Sequence, residues 1–363
     1  MSSVASYVKS IIERDGPISV ARFVELSLSG RPDSYYMNRD PLGIPGDFIT
    51  SPEISQVFGE CIGVWCVDLW LKLGSPPSFR LVELGPGRGT LMQDILRAGK
   101  VGRSFLEACA VSFVEINPVL RALQARSVAM QAPASVEWVE HFGAVGIDRP
   151  LIVIANEFFD ALPARQLLKR QDAWLERMVG LNGDGAFVFT AADGPDLSNL
   201  VPISVRNASS GSIWETSQAA LDIADAIGRA LGQFGGALLA IDYGHAGPSI
   251  GDTFQAVKAH QRASVLQDAG ECDLTFHVDF AALVTVLKAS GARCFPVVEQ
   301  RHLLARLGAF ERTRMLQRNA DAEQGARLDR ALHRLTSPSG MGTLFRALCA
   351  ASPASLAPAG FSD

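Results

Sequence analysis

Cysteine is scarce and scattered in this 363-residue chain. The six residues (Cys61, Cys66, Cys109, Cys272, Cys294, Cys349) form no C-x-x-C pair. That spacing excludes a disulfide framework and a zinc ribbon, and it reads as reduced intracellular thiols. No run of about 18 apolar residues occurs, so no integral membrane segment is expected. Met1 to Val20 mixes Lys9, Glu13, Arg14 and Asp15 with apolar residues. It reads as an amphipathic helix and not as a signal peptide, and the default location is cytoplasmic. Basic charge is in deficit, with 33 Lys and Arg against 38 Asp and Glu. The net charge of −5 argues against nucleic acid as a partner. His245, His260 and His277 share one region but lack H-x-x-x-H or H-E-x-x-H spacing, so no metal site is expected. There is no G-x-S-x-G and hence no nucleophile elbow of the hydrolase type.

What the chain does have is apolar residues and glycine in one telling order. Hydrophobic residues make up 48% of it, enough for a sizeable core. Phe79-Arg80-Leu81-Val82-Glu83-Leu84 is an apolar run ending in an acid, and Gly85-Pro86-Gly87-Arg88-Gly89-Thr90-Leu91 follows. This reads as strand, tight turn, helix. Glycine lets the backbone turn sharply and approach a ligand, and the helix start offers free N–H groups. A dinucleotide fingerprint would be G-x-G-x-x-G. Here the order is Glu83-x-Gly85-x-Gly87-x-Gly89, with Thr90 where the third dinucleotide glycine would stand. The order resembles the first motif of class I S-adenosylmethionine (SAM) methyltransferases. That cofactor carries an amino acid and a sulfonium and has no pyrophosphate, so Glu83 beside the turn is useful and not repulsive.

A second strand, Val111 to Val114, ends in Glu115 and is followed by Ile116-Asn117-Pro118 and an amphipathic helix through Gln124. An acid there can accept ribose hydroxyls. Val136 to Val139 is a third strand. Leu151 to Ala155 has the composition of a buried parallel strand, and it ends in Asn156-Glu157-Phe158-Phe159-Asp160-Ala161-Leu162-Pro163. Ligands bind at such carboxyl ends, so Asn156, Glu157 and Asp160 are expected to face the cofactor cleft. Glu157 and Asp160 share a face if the loop forms a helical turn, and two carboxylates suit a forked guanidinium.

The N-terminal part reads as helices over 4–14 and 19–28. A Gly/Pro-dense loop follows, in which Asp47, Thr50 and Ser51 are candidates for the cofactor mouth. Ser51 is expected to cap one helix running from Pro52 toward Leu73. Residues 165–168, 174–179 and 187–189 read as strands, with a turn at Asn182-Gly183-Asp184-Gly185. A helix over 216–234 and a strand Ala237 to Ile241 come next, then Asp242-Tyr243-Gly244-His245. Asp279 is expected to cap a helix to Ser290, and Cys294 to Val298 to form a late strand. The rest is expected to be helical, with a loose end from Ser352.

Taken together, Gly46 to Ser55, Glu83 to Thr90, Val114 to Pro118, Asn156 to Pro163, Ile241 to Gly244 and Asp273 to Phe280 resemble the MidA family over about residues 4–348. The sequence departs from the family's usual pattern late, at Glu299-Gln300 and His302-Leu303. The resemblance implies an α/β fold: a class I SAM-methyltransferase Rossmann-like sheet over 75–164 and 235–350. It also implies an N-terminal helical segment over 1–74 covering the cofactor site and a β-rich insertion with a helix over 165–234. It implies SAM as cofactor and an arginine of a respiratory complex I subunit as protein substrate, with symmetric dimethylation as product. On that reading Glu83, Gly85, Pro86, Gly87, Gly89, Thr90, Glu115, Asn117 and Asn156 hold the cofactor. Glu157 and Asp160 orient the guanidinium, and His277 or a carboxylate takes the proton. Asp242, Tyr243, His260 and Asp273 are candidates for substrate contact. An NAD-dependent oxidoreductase, a non-catalytic SAM-binding assembly chaperone and a small-molecule methyltransferase remain open alternatives at this stage.

Overall fold

A computed structural model describes residues 3–37, 50–192 and 194–361. Contacts divide the chain into two units. One comprises Met1–Phe48, Asp160–Asp222 and His245–Ala282; the other comprises Ile49–Phe159, Ile223–Gly244 and Leu283–Asp363.

The second unit is built on a sheet. Its main strands are β1 (Phe79–Leu84), β2 (Cys109–Val114), β3 (Ser135–Val139), β4 (Leu151–Asn156), β5 (Gly236–His245), β6 (Arg293–Cys294) and β7 (Phe345–Ser352). Their order is β3-β2-β1-β4-β5-β7-β6. β3, β2, β1, β4 and β5 run parallel, whereas β7 runs antiparallel to β5 and β6 antiparallel to β7. Every residue of β2 and β4 is buried. Strands covered on both faces read as near-continuous apolar runs, and these do, interrupted by Ser112 in β2 and closed by Asn156 in β4. The chain moves outward from β1 to β3, then returns to lay β4 on the other side of β1. The order reverses there, so the carboxyl ends of β1 and β4 form the switch point where α/β sheets bind ligands.

Helices at Gln56–Lys72 and Thr90–Gly99 pack beside this sheet, burying Phe58, Ile62, Trp65 and Leu69 with Met92, Ile95 and Leu96. Gly59 and Gly63, one turn apart, lie where the two helices meet. A Cβ on Gly59 would stand 2.5 Å from the Cβ of Asp94, and one on Gly63 2.7 Å from the Cβ of Ala98. The close crossing therefore exists only because these two positions carry no side chain.

Three sequence expectations change in this unit. Ser51 is not the cap of one long helix: Thr50 holds the cap position of a short helix, Ser51–Ile54. The chain then breaks at Ser55, whose hydroxyl accepts from the Val57 N–H and starts Gln56–Lys72. The residues of β7 predict a helix, since Phe345-Arg346-Ala347-Leu348-Cys349-Ala350-Ala351-Ser352 lacks β-branched residues and is rich in alanine. Pairing along β5 overrides that local preference, because a strand inside a sheet gains a full ladder. The end beyond Ser352 is not loose: Leu356 and Phe361 are buried, and the Trp65 indole donates to the Ala359 carbonyl (3.1 Å).

In the first unit, helices Val4–Asp15 and Val20–Leu28 share a core with Val179, Phe254 and Phe276. Ile18–Ser19 pairs with Ala173–Leu181, which also pairs with Arg165–Arg170 and Phe187–Ala191. Gln255–Lys258 forms a second small sheet with Gln261–Ala263 and Asp273–Thr275. The division thus differs from the three parts expected. The first two helices group with the β-rich insertion and with 245–282, while 49–74 groups with the large sheet. These groupings rest on pairings between segments far apart in sequence, which local patterns do not record.

Gly63→Ala is expected to cost about 1–3 kcal/mol of stability, read by urea unfolding, because the helix crossing has no room for a methyl. In an uncrowded helix the same change stabilises by about 0.5–1 kcal/mol. A Gly63→Ala protein at least as stable as the parent would rule out the close crossing.

Candidate active site

The glycine turn after β1 adopts the conformation that its residues permit. Gly85, Gly87 and Gly89 have φ of 58°, 55° and 80°, a left-handed region that branched side chains avoid. The Gly85 N–H donates to the Val114 carbonyl (3.1 Å) and the Gly89 N–H to the Pro86 carbonyl (2.9 Å). A Cβ on Gly85 would lie 2.9 Å from the ring of Phe158, and one on Gly89 3.1 Å from the Cα of Gln124. Thr90 opens the following helix, its hydroxyl 3.4 Å from the Glu53 carboxylate.

Two buried carboxylates flank this turn. Glu83 Oε2 is fully enclosed and has no hydrogen-bond partner among the described residues. Burial first, and then the nearby Glu115, push its carboxyl well above the usual range. Glu115 is better provided for: Oε1 accepts from the Asn117 N–H (2.8 Å) and Oε2 from the Gln124 amide (3.0 Å). Burial still raises its pKa against those donors. Asn117 caps Pro118–Val128 through its Oδ1, which accepts from the Val119 N–H (2.8 Å).

Gln124 is a residue the sequence reading passed over. Its amide donates to the Gly87 carbonyl (2.7 Å) as well as to Glu115, and its Oε1 accepts from the Trp138 indole (2.9 Å). It thereby ties the turn to the second acid. The signal was available: Gln124 lies between Leu120 and Val128 at four-residue spacing, a polar residue in a stripe that is otherwise apolar and buried.

After β4 the geometry departs from expectation. Glu157 has φ of 51° and no helical turn follows it, so the three-residue spacing does not set Glu157 and Asp160 on one helical face. The Glu157 N–H donates to the Ile241 carbonyl (2.8 Å). Its Oε1 accepts from the Ser51 N–H (2.7 Å) and from the Asn156 amide (3.2 Å). Burial raises its pKa. Asn156 Oδ1 is buried and has no partner among the described residues. Asp242, expected at the substrate, braces the turn: its Oδ2 accepts from the Phe158 (3.2 Å) and Phe159 (3.0 Å) N–H groups, and its Oδ1 from that of Tyr243. The Tyr243 ring packs edge-on against Phe345.

Asp160, His260, Asp273 and His277 belong to the first unit. The Asp160 carbonyl accepts from the Phe276 N–H, and Asp273 accepts from the Tyr36 hydroxyl (2.5 Å). The His277 N–H donates to the Thr253 hydroxyl, and burial, then His245, lowers the pKa of its ring. His260 is exposed in a hairpin turn with φ of 61°. The Thr50 side chain makes no capping bond, and Asp47 lies outside the described residues. Among the described residues there is no group of three potential metal ligands, and no helix is long and apolar enough to cross a membrane.

Residues 61–298 match the family model described as "Putative S-adenosyl-L-methionine-dependent methyltransferase". The chain is 33% identical over 92% of its length to "Protein arginine methyltransferase NDUFAF7, mitochondrial" from Xenopus laevis, covering 81% of that protein. It is 36% identical over 95% of its length to the Drosophila melanogaster homologue, covering 84% of it. A Burkholderia thailandensis protein solved with S-adenosyl-homocysteine superposes with a TM-score of 0.84 at 24% identity, over 99% of this chain and 92% of that one. The chain belongs to this S-adenosyl-L-methionine-dependent methyltransferase family, the MidA family that its motifs resemble. It is a methyltransferase with S-adenosyl-L-methionine as cofactor. The expected cytoplasmic location does not stand, because the relatives are named as mitochondrial proteins.

The residues present fit the cofactor. A carboxylate oxygen enclosed without a partner among the described residues suits a cationic ammonium, three left-handed glycines suit a close backbone approach, and the Glu115 carboxylate has the acceptor chemistry that ribose hydroxyls need. Gly87→Val is expected to weaken S-adenosyl-homocysteine binding roughly hundredfold in calorimetry, since a branched residue is strained by about 1–3 kcal/mol at this φ. Undiminished affinity would remove the turn from the cofactor site.

Proposed function

We propose that this methyltransferase modifies arginine side chains of a protein, and that the protein is a subunit of respiratory complex I. The cradle between Glu83, the glycine turn and Glu115 supports transfer from S-adenosyl-L-methionine. The arginine reading rests on one observation: relatives 33–36% identical over most of the chain are named protein arginine methyltransferases. The complex I subunit rests on the MidA resemblance. Bound there, the cofactor supplies a methyl group on a sulfonium, which departs as a neutral thioether.

The protein's part is to hold, orient and dry the reactants. Glu83 would take the amino end and Glu115 the ribose. Helices Gln56–Lys72 and Thr90–Gly99 keep the turn on a rigid base. The methyl-accepting nitrogen must present its lone pair in line with the sulfonium. Hydrogen-bond acceptors must therefore hold its N–H bonds and leave that lone pair free.

The test is incubation with methyl-labelled S-adenosyl-L-methionine and purified complex I subunits, followed by hydrolysis and amino-acid analysis. Label in methylated arginine is expected. Label confined to another amino acid or to small molecules, or no label with the cofactor bound, would overturn the arginine assignment.

A further inference from the structure

We propose that Asn156 holds the methyl-accepting nitrogen through its Oδ1, and that Glu157 is the positioning residue that aims it. This deepens the methyltransferase reading and rests on it. Asn156 is 8% exposed at the end of β4, and its Oδ1 is buried with no partner among the described residues. Burying an unpaired amide oxygen is costly, and such atoms in native structures mark strain or a ligand.

The amide is not free to turn the other way. A carboxylate only accepts, so the Asn156 NH₂ must face Glu157 Oε1 (3.2 Å), which leaves the buried Oδ1 without a donor among the described residues. Glu157 is held in turn by the Ser51 N–H (2.7 Å) and, through its own N–H, by the Ile241 carbonyl. Asp242 fixes the turn through Phe158 and Phe159. The chain of contacts runs from the neighbouring strand and a helix start to one oxygen atom.

What that oxygen receives follows from its place and charge. Ala155 is in register with Leu84, so Asn156 lies level with Gly85, at the switch point. The enclosed Glu83 oxygen, a potential full charge, matches the cofactor's ammonium. The remaining acceptor is neutral and suits a nitrogen that must keep its lone pair for attack. In the transfer that nitrogen forms a bond to the methyl carbon, the carbon–sulfur bond breaks with its electron pair going to sulfur, and one proton leaves the nitrogen for solvent. Asn156 orients the N–H and neither gains nor loses a proton. Glu157 then acts through Asn156 and not by pairing with a guanidinium, and Asn156 serves the acceptor nitrogen and not the cofactor.

The experiment measures S-adenosyl-homocysteine binding by calorimetry and methyl transfer to complex I subunits and to matched arginine, lysine and glutamine peptides. Asn156→Ala is expected to bind S-adenosyl-homocysteine within about twofold of the parent while kcat falls roughly hundredfold. Glu157→Ala should lose as much, and the double variant no more than either single change, since the two act as one unit. Glu157→Gln keeps an oxygen that accepts from both Ser51 and Asn156, and should retain a tenth or more of kcat. A collapse of S-adenosyl-homocysteine affinity in a folded Asn156→Ala protein would assign the amide to the cofactor and overturn the inference. So would a Glu157→Gln protein as inactive as Glu157→Ala, which would mean the negative charge itself is needed. If the parent labels lysine or glutamine but not arginine, the arginine reading fails while the Asn156 comparison runs on that acceptor. If it labels no nitrogen, both fail.

Discussion

The site depends on the burial of two carboxyls, one oxygen of which, on Glu83, has no hydrogen-bond partner among the described residues. Glu83 and Glu115 end adjacent parallel strands and so come to the same edge of the sheet. Desolvation raises the pKa of both, and their proximity raises that of Glu83 further. Alone, such a pair opposes folding. Beside a glycine turn that admits a ligand, it becomes a standing preference for something cationic on one side and for hydroxyl donors on the other. A cofactor with an ammonium and a ribose satisfies both, and its positive end would draw Glu83 back toward ionisation.

That preference is useful only if the turn keeps its shape. Left-handed glycines permit the shape but do not hold it. Gln124 holds it from one side, through Gly87 and Glu115 together. The packed helices hold it from the other, through a crossing that Gly59 and Gly63 allow. Beyond β4, Glu157 and Asp242 act similarly, committing carboxylate oxygens to backbone N–H groups near a strand end. Acids in a ligand site thus divide into those that meet the ligand and those that shape the backbone around it.

Sequence could distinguish the strands of the parallel core, because burial on both faces demands the apolar runs seen at Leu81–Val82 and Leu151–Ala155. The glycine turn was legible for the same reason: few residues can occupy it. β7 was not legible, since its alanines favour a helix and only the β5 ladder makes it a strand. Nor was the job of Asp242. An acid after a strand looks the same whether its oxygens face a substrate or the N–H groups of Phe158 and Phe159, which lie 84 and 83 positions away. The grouping of the first two helices with 245–282 was hidden likewise, as it follows from packing between distant segments.

The same limit hid the backbone of Asn156-Glu157 from the sequence. The spacing of Glu157 from Asp160 fits a guanidinium fork on a helical face, but a left-handed Glu157 breaks the helix on which that spacing depends. Once the carboxylate turns to Ser51 and Asn156, its chemistry passes to the neighbour. The amide cannot rotate without setting its NH₂ away from Glu157, its acceptor among the described residues, and so on the proposed reading it offers its oxygen. Specificity for nitrogen then needs no charged residue at the point of transfer. A neutral acceptor, fixed in direction by a buried acid behind it, discriminates by geometry: it rewards a group that can donate a proton along one line while keeping a lone pair along another.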